Sequence, residues 1–419
     1  MQLNDQDAVL LNFITSTFAP DLPKAVGVAV SGGGDSMALL HLMHRWAGDE
    51  GVGLQVATVD HGLREAAAQE AKAVAAFCAE LGIEHSTLRW TDWDRKGNLQ
   101  DQARRARYRL MTAWALGRGI KAIALGHTLD DQAETFLMRL ARGSGVDGLS
   151  GMQPVRETDG IQWVRPVLAV SRQKLRDYLQ RHKITWIDDP SNDDEQFDRV
   201  KARKILAALA PLGIDADRLV DTAQAMQSAR SALERQTQEV ARNMVEICNG
   251  DVVLDANGFK AQHPEIQSRL LSHALCWVSS AEYRPRRQAL SDVLFDILDA
   301  TPSVLHGCRI LVNKSEIRIT REHQAVKDEV CPTDAVWDRR WRFSGPHTKG
   351  LELRALGESG LAECPDWRAA GIPRASLLAT PAVWQNDRLI AAPLAKKPNG
   401  WITTVLFGLD HFISSIKSH

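Results

Sequence analysis

A buried strand that passes through three glycines into a helix constrains this chain more than any other feature. The stretch "AVGVAVSGGGDSMALLHLM" (25–43) begins with a short run rich in Val and Ala, which is typical of a buried parallel strand. Met37, Leu40 and Met43 then recur at helical spacing. A glycine-rich turn lets backbone N–H groups approach an anion, and the helix N-terminus adds about half a positive charge. The stretch therefore predicts a phosphate-binding loop.

This loop differs from the two common nucleotide-binding motifs. In a Walker loop a lysine follows the last glycine, but here Asp35 follows Gly34. A carboxylate at that place repels phosphate unless it caps backbone amides or binds a divalent cation. The dinucleotide pattern G-x-G-x-x-G does occur in "GSGVDG" (143–148), but that segment follows a helical run rather than a strand. An ordinary strand-to-helix turn is the remaining alternative, and three consecutive glycines argue against it.

Length and composition limit the class of protein. A chain of 419 residues suggests two to four domains, and 44% hydrophobic with 25% charged residues is ordinary for a globular protein. There is no apolar run long enough for a membrane span, and the N-terminus lacks a basic region before an apolar one. We therefore expect a cytoplasmic protein with no membrane partner. Six cysteines without a C-x-x-C pair argue against a zinc ribbon, an iron–sulfur site and a redox dithiol.

The first 210 residues alternate apolar strands with helical runs. The strands "GLQVATV", "IEHSTLRW" and "IKAIALG" alternate with helical segments such as "EAAAQEAKAVAAFCAELG". This alternation predicts an α/β fold with a doubly wound, Rossmann-like parallel sheet and right-handed crossovers. Ligands of such sheets bind at the carboxyl ends of the strands. The polar motifs "SGGGDS", "VDHGLR" and "GHTLDDQAET" each follow a predicted strand, so we expect them to line the site.

The pattern changes after residue 213. Residues 215–246 form one amphipathic run without glycine, which predicts a long connecting helix. Two further helical patterns follow together with the short strands "RILV" and "EIRIT", and a final unit mixes strand-like and helical pieces. The sequence thus predicts an α/β domain that carries the phosphate-binding loop, a mainly helical middle domain and a small α+β domain, at residues 1–213, 214–325 and 335–419.

Four ionisable residues lie together in "GHTLDDQAET", namely His127, Asp130, Asp131 and Glu134. At the start of a helix, both aspartates share a face with Glu134 because they precede it by four and three residues. Carboxylates at a helix N-terminus also serve as caps, but four ionisable groups exceed what capping needs. Their natural use is to hold Mg²⁺ on nucleotide phosphates through Asp131 or Asp35.

Two arginine groups are candidates for phosphate contacts. Arg104 and Arg107 share one face of the helix predicted in "NLQDQARRARYR", where they either form a solvated surface or contact phosphates of ATP or RNA. Arg199 and Arg203 are four residues apart and follow the aspartate-rich loop of "WIDDPSNDDEQFDRVKARK" (186–204). These two arginines could reach one phosphate together. The loop before them is long and highly charged, and ordering such a loop is costly without a ligand or metal.

Several motifs together resemble a known family. "SGGGDS" resembles the PP-loop of N-type ATP pyrophosphatases, and "VDHGLR", "GHTLDDQAET", "RGSG-x-x-GLSGM" and "DDPSN" are similar to the tRNA(Ile)-lysidine synthetase branch. The likeness covers roughly residues 24–206, and "LELRALGESG" with "GIPRASLLATPAVWQNDRLIAAP" extends it to that family's small C-terminal domain. The resemblance implies a ligase that uses ATP and Mg²⁺. It would adenylate the wobble cytidine of isoleucine tRNA with a CAU anticodon, and free L-lysine would then displace AMP to form lysidine.

The resemblance also implies a role for each candidate residue. The glycine loop would hold the departing pyrophosphate, which explains why the lysine of a Walker loop is absent. His61 lies where the superfamily binds adenine. Asp35 and Asp131 would hold Mg²⁺, whereas Asp130 and Glu134 would bind the lysine ammonium and accept its proton. The implied ATP-binding residues are Ser31, Gly32, Gly33, Gly34, Asp35, Ser36 and His61. The implied catalytic residues are Asp131, Asp130, Glu134, His127 and Arg203, and the implied tRNA-binding residues are Arg104, Arg107 and Arg199.

The chain departs from the family pattern at two places. Val200 stands where the family commonly has Asn directly after the arginine, and the C-terminal domain lacks a pair of lysines before "GIPR". We therefore expect basic residues in "RPRRQ" (284–288) or "WDRRWRF" (337–343) to contribute to tRNA binding. The sequence is compatible with a homodimer but leaves the oligomeric state open.

Two alternative functions remain at this stage. A tRNA sulfur-transferase of the same superfamily would need persulfide cysteines or an iron–sulfur cluster, and the missing C-x-x-C argues against it. A non-enzymatic nucleotide-binding module would need the glycine loop but neither "HTLDDQAE" nor "DDPSN". Release of pyrophosphate that depends on tRNA would distinguish the enzyme from such a module.

Overall fold

The computed structural model describes residues 5–62, 65–93, 98–188, 196 and 198–418. They form two compact units, Met1–Arg230 and Ser231–His419, and the division falls within one long helix. The first unit contains helices α1 (Asp5–Phe18), α2 (Gly34–Glu50), α3 (Glu65–Glu80), α4 (Leu99–Gly117), α5 (Leu129–Ala141), α6 (Val146–Leu149), α7 (Arg172–Arg181), α8 (Asp198–Leu209) and the start of α9 (Ala216–Met244). Its strands are β1 (Ala25–Ala29), β2 (Gly53–Asp60), β3 (Glu84–Arg89), β4 (Ala122–Leu125), β5 (Val155–Thr158) and β6 (Ile161–Val164).

The strands of the first unit form one sheet in the order β3-β2-β1-β4-β6-β5. All neighbours are parallel except β5 and β6, which form an antiparallel hairpin at the edge. The predicted doubly wound sheet is confirmed, and of its strands only the two that form the edge hairpin were not predicted. Because β2 and β3 lie on one side of β1 and β4 lies on the other, the order reverses between β1 and β4, which is where such sheets bind ligands.

Alternate residues of the central strands enter two different cores. On β1 and β4, Val26, Val28 and Ala124 pack with α1, α2 and α7, whereas Ile123 and Leu125 pack with Trp114 of α4 on the opposite face. Successive side chains of a strand point to opposite faces, so a short apolar strand serves both layers. This burial on both faces is why these strands read as continuous apolar runs in the sequence.

The second unit contains an antiparallel sheet of five strands in the order β7-β8-β11-β10-β9. Only β10 and β11 were predicted. The strands β7, β8 and β9 were missed because they have three to five residues each, and the first two residues of β7 lie in the run that was predicted as helix. Helical residues still outnumber strand residues in 214–325. The strands are β7 (Val245–Cys248), β8 (Asp251–Asp255), β9 (Ser303–Leu305), β10 (Cys308–Val312) and β11 (Glu316–Arg321), and the helices are α10 (Ala256–Lys260), α11 (Pro264–Ser279) and α12 (Arg287–Leu298).

The last part of the chain combines two small antiparallel sheets with short helices, in agreement with the predicted α+β composition. One sheet has the order β12-β14-β15-β16 and the other pairs β13 with β17. The strands are β12 (Cys331–Pro332), β13 (Trp341–Ser344), β14 (Glu352–Ala355), β15 (Pro381–Gln385), β16 (Arg388–Ala391) and β17 (Ile402–Val405). The helices are α13 (His323–Val326), α14 (Gly357–Ala362), α15 (Arg374–Leu378) and α16 (Leu409–Ser415).

Candidate active site

The glycine loop between β1 and α2 is held closed by its own hydroxyl groups. The backbone N–H of Ser31 donates to Ser36 Oγ at 3.2 Å, and Ser36 Oγ donates to the carbonyl oxygen of Gly33 at 2.9 Å. Gly33 is the N-cap of α2, and no described side chain caps the first amides of the helix. These N–H groups are therefore available to an anion, as the sequence predicted for a phosphate-binding loop.

The backbone conformation explains one glycine of the loop, and Trp186 packs over another. Gly32 has φ of +90°, a conformation that residues with a Cβ rarely adopt. A Cβ on Gly34 would lie 3.4 Å from Trp186, which covers the loop from the segment before "DDPSN". Ile187 donates its N–H to the carbonyl oxygen of Gly32 at 3.0 Å. The start of this segment thus lines the loop, while most of the motif itself, residues 189–192, lies outside the described residues.

Asp131 uses its two carboxylate oxygens for different tasks. Oδ2 accepts hydrogen bonds from the backbone N–H of Thr128 at 2.9 Å and from its hydroxyl at 3.0 Å, which completes a capping box at the start of α5. Oδ1 faces Arg172 Nη2 at 3.5 Å and Arg199 Nη1 at 3.8 Å. The capping role considered from the sequence is therefore real for one oxygen, and the other is directed at cations.

Three carboxylates from two helices converge on one guanidinium group, that of Arg172 at the first position of α7. Arg172 Nε donates to Asp35 Oδ2 at 3.1 Å, and Nη1 donates to Glu134 Oε1 at 3.4 Å. Together with the contact to Asp131, this gathers the predicted metal pair and a predicted lysine ligand around the same cation. Arg172 was not predicted as a site residue, because nothing in the sequence distinguishes it from the other arginines of the chain.

Glu134 is almost fully buried, with 1% of its surface exposed. Its Oε1 also accepts from Arg203 Nε at 2.8 Å, so the carboxylate lies between Arg172 and Arg203. Its Oε2 is buried without a hydrogen-bond partner among the described residues. An orphaned buried carboxylate oxygen is costly and is best explained by a ligand that supplies a donor.

Asp130 has a task that the sequence did not suggest. Its Oδ2 accepts the backbone N–H of Arg172 at 2.7 Å and so satisfies the first amide of α7. Ser171 is the N-cap of the same helix, and its hydroxyl accepts the N–H of Lys174. Asp130 therefore fixes the backbone from which the Arg172 side chain extends.

His127 is held as a neutral imidazole behind the carboxylates. Burial, together with the charges of Arg165 and Arg199, lowers the pKa of His127 to about 4, although Asp131 opposes the shift. Arg165 Nε donates to His127 Nδ1 at 3.2 Å, which assigns the proton of the neutral ring to Nε2. His127 at neutral pH is thus a hydrogen-bond donor through Nε2 rather than a cation.

The two aspartates of the predicted metal pair differ in acidity. Burial raises the pKa of Asp35, and Arg172 only partly offsets this effect. Burial also disfavours the charge of Asp131, but Arg199, the N–H of Thr128 and Arg172 outweigh it, so the pKa of Asp131 is lowered. Asp131 is therefore the better anion of the two.

His61 lies just after β2 and makes no hydrogen bond to the described residues of the carboxylate cluster. Its ring packs edge-to-face on Trp90 at 5.8 Å, and neither ring nitrogen has a hydrogen-bond partner among the described residues. Burial and then the charge of Arg107 lower its pKa. A neutral ring with free nitrogen atoms at the end of β2 is compatible with the predicted contact to adenine.

The predicted tRNA-binding arginines are exposed. Arg104 and Arg107 lie on the surface of α4, where the Arg104 guanidinium stands over the Tyr108 ring at 5.1 Å. Arg199 is half exposed and reaches Asp131, and the neighbouring Val200 is buried in α8. The structure thus keeps Arg199 beside the carboxylate cluster despite the departure at Val200.

The site lies at the switch point of a parallel sheet and combines a phosphate-binding loop, an acidic helix start and several arginines. This combination defines an ATP-binding domain of the PP-loop class. The family model described as a PP-loop domain matches residues 7–209. The chain is 50% identical to the tRNA(Ile)-lysidine synthase of Ruegeria pomeroyi over 98% of both chains. It is 38% identical to that of Wolbachia pipientis wMel, over 75% of this chain and 76% of the relative. The chain belongs to the tRNA(Ile)-lysidine synthase family.

This membership confirms the expected class of enzyme, an ATP-dependent ligase that modifies tRNA. The sulfur-transferase and the non-enzymatic module are thereby set aside. Among the described residues, no helix is both long and apolar enough to cross a bilayer. Within those residues, no three or more His, Cys, Asp or Glu side chains are grouped so that they could hold a metal ion.

Proposed function

We propose that this enzyme joins L-lysine to the wobble cytidine of a CAU-anticodon isoleucine tRNA, and that the residues gathered between the glycine loop and α5 carry both steps. The single observation that supports this most is the convergence of Asp35, Asp131 and Glu134 beside an uncapped helix N-terminus. Such a site can bind a nucleotide, a divalent cation and an ammonium group at the same place.

In the first step the 2-carbonyl oxygen of cytosine attacks the α-phosphorus of ATP. The bond between the α-phosphorus and the bridging oxygen breaks, and pyrophosphate leaves. The amides of the glycine loop with Ser31 and Ser36 hold the departing pyrophosphate, which leaves the α-phosphate open to the base. Arg199 and Arg203 lie beside the same carboxylates and can neutralise charge that develops on the α-phosphate.

Mg²⁺ would be held by Asp35 and Asp131 together with phosphate oxygens. The fit is supported by their approach to a common cation, at 3.1 Å and 3.5 Å from nitrogen atoms of Arg172. One or two carboxylates plus nucleotide phosphates are the usual ligand set of this ion. When bound, Mg²⁺ neutralises phosphate charge and makes pyrophosphate a better leaving group.

In the second step the ε-amino group of lysine attacks C2 of the adenylated base, and AMP leaves. The incoming ammonium must lose a proton before it can attack. Glu134 Oε2, which has no hydrogen-bond partner within the described part of the chain, is a suitable acceptor. One oxygen of Asp130 accepts the backbone N–H of Arg172 at the start of α7. Asp130 would therefore contribute to lysine binding through its other oxygen and its charge. His127, neutral and protonated on Nε2, would donate a hydrogen bond to a developing anion.

The proposal extends to the organisation of the chain. Residues 1–213 would be the catalytic domain, while 214–325 and 335–419 would bind tRNA. One expected tRNA contact is unsuitable, because Arg340 of "WDRRWRF" is 3% exposed and donates to backbone carbonyl oxygens of Val278 and Gly250. Exposed arginines such as Arg339 and Arg342 remain candidates. A tRNA substrate implies action in the cytoplasm, and a homodimer stays open to test.

The decisive experiment is incorporation of radiolabelled lysine into a transcript of CAU-anticodon isoleucine tRNA with ATP and Mg²⁺. The control is the CAU-anticodon methionine tRNA, which shares the anticodon. We expect label in the isoleucine tRNA alone. Pyrophosphate release without lysine incorporation would keep the adenylation step but reject lysine as the nucleophile.

A further inference from the structure

Arg172 fills the space between the three carboxylates that the proposed reaction uses. Each of its three guanidinium nitrogen atoms faces a different carboxylate, since Nε contacts Asp35, Nη2 contacts Asp131 and Nη1 contacts Glu134. Arg199 and Arg203 approach the same cluster, but their contacts here are to Asp131 and to Glu134 respectively. The planar fork of an arginine suits such a bridge, because its donors are fixed in one plane.

The carboxylates need a cation in this position when no substrate is bound. Asp131 and Glu134 are 7% and 1% exposed, and two buried carboxylates repel one another unless a cation lies between them. The Arg172 side chain is 18% exposed, so it retains a route towards solvent. Its backbone is fixed at the start of α7 by Asp130 and the Ser171 cap. The side chain can therefore leave without unfolding the helix.

We propose that Arg172 is a resident counter-ion that occupies the divalent-cation position of the empty enzyme and is displaced from Asp35 and Asp131 when the metal binds. This inference rests on the proposed assignment of these two aspartates to Mg²⁺. A divalent cation ligated by both carboxylates at about 2.1 Å would have to take the place of the guanidinium. Arg172 is thus a positioning residue that holds the carboxylates around the metal position, so that binding of the metal has to displace it.

Displacement has a measurable consequence. Binding of the metal must break the contacts of Arg172 with two carboxylates, and the arginine charge repels the ion as it approaches. Removal of the guanidinium should therefore tighten binding of a divalent cation, whereas loss of an ordinary metal-site residue weakens it. The direction of the change in metal affinity therefore distinguishes a competing counter-ion from a residue that merely supports the site.

The test is the affinity of the enzyme for Mn²⁺ alone, with free Mn²⁺ measured by electron paramagnetic resonance. We expect Arg172→Gln to lower the Kd for Mn²⁺ about tenfold, equivalent to about 1.4 kcal/mol. The matched control is Lys174→Gln, which removes one positive charge from an exposed position of the same helix and should leave the Kd unchanged. Arg172→Lys keeps the charge but cannot bridge three carboxylates, so its Kd should lie between those of the wild type and Arg172→Gln.

The outcomes separate this inference from the metal assignment on which it rests. If Asp131→Asn weakens Mn²⁺ binding while Arg172→Gln leaves it unchanged or weaker, the counter-ion role is overturned and the metal pair stands. If Asp131→Asn binds Mn²⁺ as the wild type does, the metal pair is overturned and the inference with it. Should Arg172→Gln fail to fold, Arg172→Lys decides, and a Kd equal to or above the wild-type value contradicts the proposal.

Discussion

At the residue scale, the chemistry depends on how single carboxylates divide their oxygens. Asp131 uses Oδ2 to cap α5 and Oδ1 to face cations, whereas Asp130 uses Oδ2 to cap α7. Asp130 and Asp131 are adjacent and lie in the same motif, but they have different surroundings. Asp131 combines a lowered pKa with contacts from its Oδ1 to Arg172 and Arg199.

We expect Asp131→Asn to reduce tRNA-dependent pyrophosphate release by about 10² or more, because the variant loses the charge of a proposed metal ligand. The Asn amide oxygen can still accept from Thr128, so the cap and the fold should persist. The measurement is steady-state pyrophosphate release together with circular dichroism. Asp49→Asn, an equal change of charge at an exposed position of α2, is the control and should retain activity. Near-normal release by Asp131→Asn would remove this residue from the metal site.

At the element scale, the site depends on the approach of the end of β4 to the start of α2. A Cβ on Gly126 would lie 3.2 Å from backbone atoms of Asp35 and Ser36. Backbone atoms cannot rotate away as a side chain can. The two loops therefore approach each other closely only because position 126 is glycine, and this brings Asp35 towards Asp131.

Gly126→Ala should displace the start of α2 and raise the Kd for ATP about tenfold, with a loss of about 1–3 kcal/mol in the free energy of unfolding. Isothermal titration calorimetry and urea unfolding measure the two effects. Gly48→Ala on the same helix meets no heavy atom within 4 Å. It should leave ATP binding unchanged and stabilise the protein by about 0.5–1 kcal/mol. An ATP affinity of Gly126→Ala equal to that of the wild type would refute the close-approach argument.

At the scale of the whole molecule, the net charge gives no sign of a tRNA partner. Lysine and arginine total 51 against 52 acidic residues, for a formal net charge of −1. Binding of a polyanion must therefore rest on local patches, such as the exposed arginines of α4. The buried Arg340 shows that a basic motif in the sequence does not by itself indicate such a patch.

Affinity for tRNA should fall steeply as salt rises, because each neutralised phosphate releases counterions. We expect the logarithm of the association constant to decrease linearly with the logarithm of KCl concentration, as measured by filter binding. Arg104→Gln and Arg107→Gln should each make the slope shallower by about one, while Arg118→Gln, at the far end of α4, should not. A flat salt response would contradict binding by basic patches.

Local patterns predicted much of the fold. The strand–glycine–helix start, the alternation up to residue 209 and the long run that forms α9 all follow from periodicity and turn residues. The strands missed in the two largest sheets, β5, β6 and β7–β9, have three to five residues each. Such short runs acquire their structure by pairing with distant strands, so the sequence carries little local signal for them.

The sequence by itself was sufficient to predict the phosphate loop, the acidic start of α5 and the family resemblance, because each depends on motifs of a few consecutive residues. Only the tertiary structure decided which charges meet. Arg172 is 137 residues from Asp35 and 38 from Glu134 along the chain, yet it contacts both. The physical reason is the sheet order, because placing β4 beside β1 brings the starts of α2 and α5 together at one edge, where α7 can reach both.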